Sequence, residues 1–398
     1  MPARPCPLRP QALPACAPIR GAAQRLARAP RRLLEADLTG PGTMLPGLMH
    51  DRPLLVSSLI EQAAQWHPGA EVVALSGEPR VHRYTYADLR RRAKQLAVAL
   101  TALGVQPGDR IATLAWGDHR HLELCYGVPG TGAILHTVNP QLERAQLELI
   151  MEHAGDTHLF FDMSFLPLVE ALAPRLSGLR CLVAMAPAGQ LPEMKLPNVL
   201  CYEELLAQHG SEFAWPAVDE TSGASLCYTS GTTGPPQGVL SSHRATLLHS
   251  SAVCSELGLG LTPSDAALLA VPMFHVNAWG VPYAAPMSGA KLILPGPRLD
   301  GASLYHLMQR EAVTIALGLP TVWMSLLAHI ERHDLEPARE LQLRRVVIGG
   351  AAAPRIMIET FASKFRVEVL HPWHLTEPCS WRREPMMSKR CDRSAPVS

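Results

Sequence analysis

A run rich in serine, threonine and glycine lies between two short apolar segments, residues 224–227 and 239–240. Its hydroxyl residues alternate with glycines in the order Thr229, Ser230, Gly231, Thr232, Thr233 and Gly234. Backbone N–H groups of a glycine-rich turn can converge on phosphate oxygens, and small hydroxyls add donors. A surface hairpin loop made of turn formers would have the same composition. The run is not a Walker A loop, because G-x-x-x-x-G-K-[ST] does not occur in this sequence.

A second string, residues 271–280, places polar side chains among apolar ones. An apolar run ends here, Pro272 turns the chain, and His275 and Asn277 follow. His275 thus lies at the carboxyl end of a strand, where open α/β sheets bind ligands. A core histidine with its hydrogen bonds satisfied is the alternative. Trp279 is either part of a binding site or a core filler.

Two later strings also stand out. In the string of residues 348–354, a strand ends in small residues, so the backbone could approach a flat ligand closely at Gly349, Gly350 and Ala351. A strand-to-helix turn with Pro354 at the first helical position explains the same residues. The fourth string, residues 373–377, places Thr376 and Glu377 after an aromatic residue.

Strand and helix patterns alternate on both sides of the serine- and threonine-rich run. Short apolar runs predict strands at residues 111–114, 133–138, 158–161, 181–185, 266–271, 291–294, 313–317 and 345–348. Helical spacing predicts helices at residues 142–153, 165–172, 304–311, 322–329 and 356–364. A further helix starts at Thr85 with a capping-box-like pattern and ends at Gly104. This alternation predicts an α/β fold of parallel β/α units. Proline-rich residues 186–223 predict a connector between lobes at about 54–190 and 220–377.

The two ends of the chain differ from the middle. Residues 1–43 hold seven arginines, many prolines and two acids. Arginine-rich, acid-poor composition can indicate a mitochondrial transit peptide, but serine is absent and the prolines would break an amphipathic helix. We therefore expect a disordered or non-native extension there. Residues 378–398 have no helical or strand period, which predicts an unstructured tail.

Composition excludes several function classes. Lys and Arg number 36 against 35 Asp and Glu, so the net charge gives no argument for nucleic acid or an anionic membrane. The nine cysteines form no C-x-x-C pair, which favours a reducing compartment over a disulfide framework. No apolar stretch is long enough to span a bilayer. We expect a cytoplasmic protein, with the mitochondrial matrix as the alternative.

Residues 228–239 resemble the phosphate-loop signature of the AMP-forming, adenylate-producing synthetases. Residues 271–280 resemble the following motif in the fatty acyl-CoA synthetase branch of that family, and residues 373–377 resemble its aromatic-Gly-x-Thr-Glu motif. Two positions depart from the family pattern. Gln237 stands where the family usually has lysine, so a charged phosphate contact is lost. His374 stands where the family has glycine.

The resemblance implies the following site. The nucleotide-binding residues would be Thr229, Ser230, Gly231, Thr232, Thr233, Gly234, Gln237, Gly238, Gly349, Gly350, Ala351, Trp373 and Thr376. The substrate-binding residues would be His275, Asn277 and Trp279. The catalytic residues would be Thr229, His275 and Glu377, with Glu377 also the ligand of Mg²⁺.

The resemblance further implies two doubly wound parallel β/α lobes, forming the large N-terminal domain of adenylate-forming enzymes over residues 54–377. The expected reaction is ATP-dependent activation of a fatty acid to acyl-AMP and its transfer to coenzyme A. A homodimer is also expected. The match stops at Glu377, so we expect the C-terminal lid domain to be absent and turnover to be impaired. The alternative is a non-catalytic module that binds a nucleotide or an acyl chain.

Overall fold

The computed structural model describes residues 52–77, 81–229, 236–373 and 382–383. Predicted features in the remaining ranges lie outside the described residues. They include the extension at residues 1–43 and most of the tail at residues 378–398.

Helices flank the strands along the whole described chain. They are α1 Val56–Trp66, α2 Tyr86–Ala102, α3 His119–Gly130, α4 Arg144–Ala154, α5 Leu166–Leu172, α6 Tyr202–Ala207, α7 His243–Cys254, α8 Val281–Ser288, α9 Gly301–Arg310, α10 Pro320–Arg332, α11 Pro337–Glu340 and α12 Arg355–Thr360. The predicted capping box is confirmed: the Thr85 side chain accepts a hydrogen bond from the Asp88 backbone N–H, and the Asp88 carboxylate accepts one from the Thr85 N–H. A π-helical turn, Phe361–Phe365, continues α12.

The first sheet has seven strands in the order β7-β6-β5-β3-β4-β8-β9. Its strands are β3 Arg110–Leu114, β4 Ile134–Thr137, β5 Asp156–Asp162, β6 Cys181–Met185, β7 Leu200–Cys201, β8 Gly223–Thr229 and β9 Gln237–Ser242. Neighbouring strands are parallel except for the antiparallel pair β8 and β9.

The second sheet also has seven strands, in the order β14-β13-β12-β10-β11-β1-β2. Its strands are β1 Glu71–Ala74, β2 His82–Thr85, β10 Ala266–Ala270, β11 Lys291–Leu294, β12 Ile315–Gly318, β13 Arg345–Ile348 and β14 Glu368–Leu370. Only β1 and β2 pair antiparallel in this sheet. A separate two-stranded pair joins β15 Pro372–Trp373 to β16 Arg382–Arg383.

The strand assignment differs from the predicted lobe ranges of about 54–190 and 220–377. The N-terminal hairpin β1–β2 belongs to the second sheet, and the hairpin β8–β9 belongs to the first. The chain therefore crosses between the sheets more than once. Sequence periodicity identifies strands but not their neighbours, because pairing is decided by contacts distant in sequence.

The core follows the alternation of side chains along each strand. In β1, Val72 and Ala74 pack into the cluster between the sheets, whereas Val73 faces the outer helices. In β5, Phe160 faces the inner cluster and Phe161 the outer one. Because successive strand residues point to opposite faces, each sheet is covered on both sides.

Helix α3 is buried along its whole length, so its charged residues need partners. Glu123 accepts hydrogen bonds from Arg92 Nε at 2.7 Å and from the Tyr202 hydroxyl at 2.7 Å. Arg120 Nε donates to Glu203 at 2.8 Å. Buried charges are tolerated when they are paired and hydrogen-bonded in this way.

The start of α1 is held by polar groups far along the chain. The Val56 N–H donates to His243 Nδ1 at 3.3 Å, and the Leu54 N–H donates to the Glu220 carboxylate at 2.8 Å. His243 is buried, and this burial lowers the pKa of His243 to about 4. The neutral ring is therefore the acceptor that one first-turn donor of α1 requires.

We predict that His243→Asn reduces the acid sensitivity of folding. The folded protein keeps His243 neutral, whereas the unfolded chain takes up a proton as the pH falls from about 6.5 to 4. Stability from this group is thus lost on acidification over that window. Asparagine retains an acceptor near the Nδ1 position and does not titrate. Urea unfolding at pH 7 and pH 5 should show a slope shallower by up to about 1.4 kcal/mol per pH unit. An unchanged slope would contradict the prediction.

Candidate functional site

A cavity of about 540 Å³ lies at the carboxyl ends of strands from both sheets. Trp116 and Asn139 follow β3 and β4, and Tyr228 lies near the end of β8 in the first sheet. His275 follows β10, and Gly350 follows β13 in the second sheet. Open α/β sheets bind ligands at this edge. The cavity is therefore the candidate site.

The strands β8 and β9 flank the serine- and threonine-rich loop, and the residues at their adjoining ends reach this cavity. Thr229 pairs with Gln237 at the end of the hairpin stem, and Tyr228 pairs with Gly238. Thr229 and Pro236 both line the cavity. The loop residues Ser230, Gly231, Thr232, Thr233 and Gly234 lie outside the described residues. The described residues on both sides of the predicted phosphate loop therefore line the cavity.

Gly238 has a steric reason to be glycine. A Cβ at this position would lie 3.2 Å from the Tyr228 ring and 3.2 Å from Leu226 Cδ1. Such a contact is tight, so a side chain at Gly238 would require the Tyr228 ring or Leu226 to shift by a few tenths of an ångström. The role predicted for Gly238 in nucleotide binding remains a prediction.

The chain forms a left-handed turn, Val276–Trp279, directly after His275. The four φ angles are 49°, 47°, 49° and 56°. Left-handed backbone costs roughly 1–2 kcal/mol for each L-residue other than glycine. The turn is therefore strained and must be held by its surroundings.

Asn277 supplies part of that restraint. Its Nδ2 donates to Ser225 Oγ at 2.7 Å, and its Oδ1 accepts from Thr137 Oγ1 at 3.4 Å. The Cys227 thiol is 3.6 Å from the same oxygen. All four side chains are buried. The amide thus ties a turn of the second sheet to strands β4 and β8 of the first. All of these partners of the Asn277 side chain are protein groups, so the predicted contact of Asn277 with substrate stays a prediction.

Trp279 is buried behind the backbone that follows β13. A Cβ on Gly349 would lie 2.7 Å from the Trp279 ring, so glycine is needed for this packing. Gly350 has a φ of 79° and lies beside His275, whose Nε2 would be 3.9 Å from an added Cβ. The structure therefore brings together the two strings predicted to bind adenine and the acyl group. Ala351 is exposed next to them.

His275 lines the cavity with an exposed side chain, and partial desolvation by the surrounding residues lowers the pKa of His275 from its ordinary value. The ring is consequently neutral at pH 7, with one nitrogen able to donate and the other able to accept. Neighbouring apolar residues, including Phe274 and Val276, form the wall around it. This arrangement could orient one polar end of a ligand while the rest lies against apolar surface.

Sequence reasoning missed the polar residues that the first sheet contributes. Asn139, Gln141 and Gln146 line the cavity, as does Trp116, whose indole N–H donates to Ser164 at 2.8 Å. They follow β3 and β4 as His275 follows β10. The same strand-end rule applied to every predicted strand would have found them.

The fourth string is only partly visible. The Trp373 backbone pairs with Arg382, and its side chain, together with Thr376 and Glu377, lies outside the described residues. Within the described ranges, no three His, Cys, Asp or Glu side chains could hold a metal ion together. The predicted magnesium ligand Glu377 stays a prediction.

The sequence matches the family model described as AMP-binding enzyme over residues 60–396. The chain belongs to the AMP-binding enzyme family. This match confirms the resemblance drawn from the loop and the strings after it. None of the helices in the described part of the chain is long and apolar enough to cross a membrane.

Curated relatives from this family are CoA ligases. The chain is 45% identical over 331 residues to the 3-methylmercaptopropionyl-CoA ligase of Ruegeria lacuscaerulensis, covering 83% of this chain and 61% of the relative. It is 44% identical over 331 residues to the medium-chain-fatty-acid–CoA ligase of Ectopseudomonas oleovorans, covering 83% and 60%. The chain therefore spans about three fifths of the length of these relatives.

The architecture is also that of a solved family member. The inhibitor-bound N-terminal domain of FACL13 from Mycobacterium tuberculosis superposes with a TM-score of 0.68 at 26% identity. The alignment covers 82% of this chain and 77% of that domain. The predicted α/β fold of an adenylate-forming N-terminal domain is confirmed.

We predict that Asn277→Ala destabilises the protein by about 1–3 kcal/mol beyond the cost of its backbone angle, because buried partners lose their hydrogen bonds. Asn198→Ala is the matched control, since Asn198 has a φ of 56° and is exposed. Urea unfolding of both variants separates the two contributions. Equal losses in the two variants would show that the buried hydrogen bonds of Asn277 contribute nothing.

Proposed function

We propose that this chain supplies the nucleotide- and acyl-binding domain of an AMP-forming fatty acyl-CoA ligase. The observation that carries the proposal is the meeting of three features in one cavity. The stem of the phosphate-loop hairpin, the neutral His275 and an apolar wall from the second sheet all line it. The relatives named above are CoA ligases, which supports the same reaction class.

We propose the following roles for the individual residues. Thr229 and the loop after it would bind the phosphates, and Gly349, Gly350 and Ala351 would lie along the adenine. His275 would orient the fatty carboxylate. Trp279 and Asn277 lie behind this surface, so their contribution to substrate binding would pass through the shape of the turn that holds His275.

In this reaction the carboxylate oxygen attacks the α-phosphorus of ATP and pyrophosphate leaves, giving acyl-AMP. The thiolate of coenzyme A then attacks the acyl carbon, and AMP leaves. No covalent bond to the protein is needed, so the residues of this chain bind and orient the two reactants. Thr376 and Glu377 would complete the site with Mg²⁺. A homodimer and a cytoplasmic location are further parts of the proposal.

The function is tested by binding and turnover together. Isothermal titration should show binding of ATP with Mg²⁺ and of octanoate. A coupled assay should show pyrophosphate release that requires octanoate, with octanoyl-CoA formed when coenzyme A is present. Nucleotide binding without octanoate-dependent pyrophosphate release would instead support a non-catalytic binding module. Absence of nucleotide binding would refute the proposal.

Charge at the cavity gives a second test. None of the described residues that line the cavity is lysine or arginine. Gln237 occupies the position at which the family usually has lysine, and it is exposed at the start of β9. The triphosphate consequently lacks a charged partner at this position.

We predict that Gln237→Lys strengthens ATP binding by about tenfold, because a charge-assisted hydrogen bond to phosphate adds about 1.4 kcal/mol. Gln208→Lys, which adds the same charge at the exposed end of α6, should leave the affinity unchanged. Titration calorimetry measures both. An equal gain in the two variants would indicate a general effect of net charge, and no gain in Gln237→Lys would place this residue away from the phosphates.

A further inference from the structure

Tyr228 lies at the base of the phosphate-loop hairpin and in the wall of the cavity. It precedes Thr229, whose pairing with Gln237 closes the stem. A shift of the Tyr228 ring would therefore move the first residue of the predicted phosphate loop. Two contacts, from α4 and β4, hold this ring, and a glycine of β9 leaves space for it.

The first contact comes from helix α4. His153 Nδ1 lies 2.6 Å from the Tyr228 hydroxyl, and the two rings meet edge to face at 5.9 Å. Partial burial raises the pKa of Tyr228, so its hydroxyl stays protonated and can donate to Nδ1 of His153.

The second contact comes from β4. The His136 ring lies 5.2 Å from the Tyr228 ring. His136 is itself fixed, because Nδ1 lies 2.8 Å and 3.0 Å from the two carboxylate oxygens of the buried Asp156. Gly238 leaves the space in which the Tyr228 ring crosses the hairpin stem.

Helix α4 thus reaches the cavity in two ways. Gln146, near its start, lines the cavity directly. His153, near its end, reaches it through Tyr228. His136 under the ring is buried and hydrogen-bonded to Asp156, whereas the His153 side chain that bonds to the Tyr228 hydroxyl is exposed. Removal of this bond should loosen the stem without disturbing the core.

We propose that His153 is a positioning residue for nucleotide binding, which holds the base of the phosphate loop through its hydrogen bond to Tyr228. The inference rests on the proposed function, because it assigns the loop to ATP. Its effect is on the placement of Thr229 and the stem, and not on the apolar wall of the second sheet. Affinity for the nucleotide should therefore depend on the pair, and affinity for the fatty acid should not.

Four variants test the pair. His153→Ala and Tyr228→Phe each remove the hydrogen bond. The double variant lacks both partners and shows whether the two single effects come from the same bond. His153→Asn retains a polar group near the Nδ1 position. Glu152→Ala, an exposed neighbour on the same helix, is the matched control. The full chain is used, with ATP and Mg²⁺ as one titrant and octanoate as the other.

The expected result is a three- to tenfold weaker affinity for ATP in His153→Ala and in Tyr228→Phe, with no further loss in the double variant. His153→Asn and Glu152→Ala should bind ATP as the unmodified chain does. Octanoate affinity and the melting temperature should be nearly unchanged in every variant. Unchanged ATP affinity in both single variants, or additive losses in the double variant, would overturn the inference.

Hydrogen exchange of the ligand-free chain separates this inference from the proposed function. His153→Ala should speed amide exchange in residues 225–229 and 237–240, with other strands unaffected. Uniformly faster exchange would show a general structural role for His153, and unchanged exchange would show no role, so either overturns the inference. If the unmodified chain binds no ATP, the proposed function fails and the assignment of His153 to nucleotide binding fails with it.

Discussion

The hydrogen bonds of Asn277 hold the two sheets of this protein together at the place where their strand ends form a cavity. Its amide comes from a turn of the second sheet and is buried between β4 and β8 of the first. His275 and Val276 precede it and line the cavity. Their positions relative to the phosphate-loop hairpin therefore depend on this amide, because Ser225 and the hairpin stem share strand β8.

The left-handed turn that carries Asn277 is strained, so the hydrogen bonds of Asn277 are needed to maintain it. Valine, alanine and tryptophan all disfavour positive φ, so the turn persists only while its contacts outweigh the strain. Packing of Trp279 against Gly349 and the buried amide of Asn277 provide those contacts. Strain held in this manner is typical of sites that must be shaped before the ligand arrives. A wall fixed in advance places reacting groups without a further ordering cost.

Local pattern was sufficient to predict most elements of the fold. The strands Lys291–Leu294 and Arg345–Ile348 lie at the predicted residues because apolar runs are bounded there by turn formers. The capping box at Thr85 could also be predicted from the sequence, and the structure confirms it. The assignment of the hairpins β1–β2 and β8–β9 to their sheets could not be predicted from the sequence. The strand β1, for example, pairs with β11, more than two hundred residues away in the chain. The conformation of the turn after His275 was also beyond sequence reasoning, because its residues individually prefer other backbone angles.

The hairpin β1–β2 finds its neighbour in the second sheet only at β11. A ribosome adds roughly 5–20 residues each second, so many seconds pass between the synthesis of this hairpin and the synthesis of its partner strand β11. During that time its outer strand edges are unpaired and its apolar face has no cover. Contacts this distant in sequence also slow folding. Synthesis of this protein should accordingly draw on chaperones that shield nascent chains, and a fragment ending before β11 should aggregate.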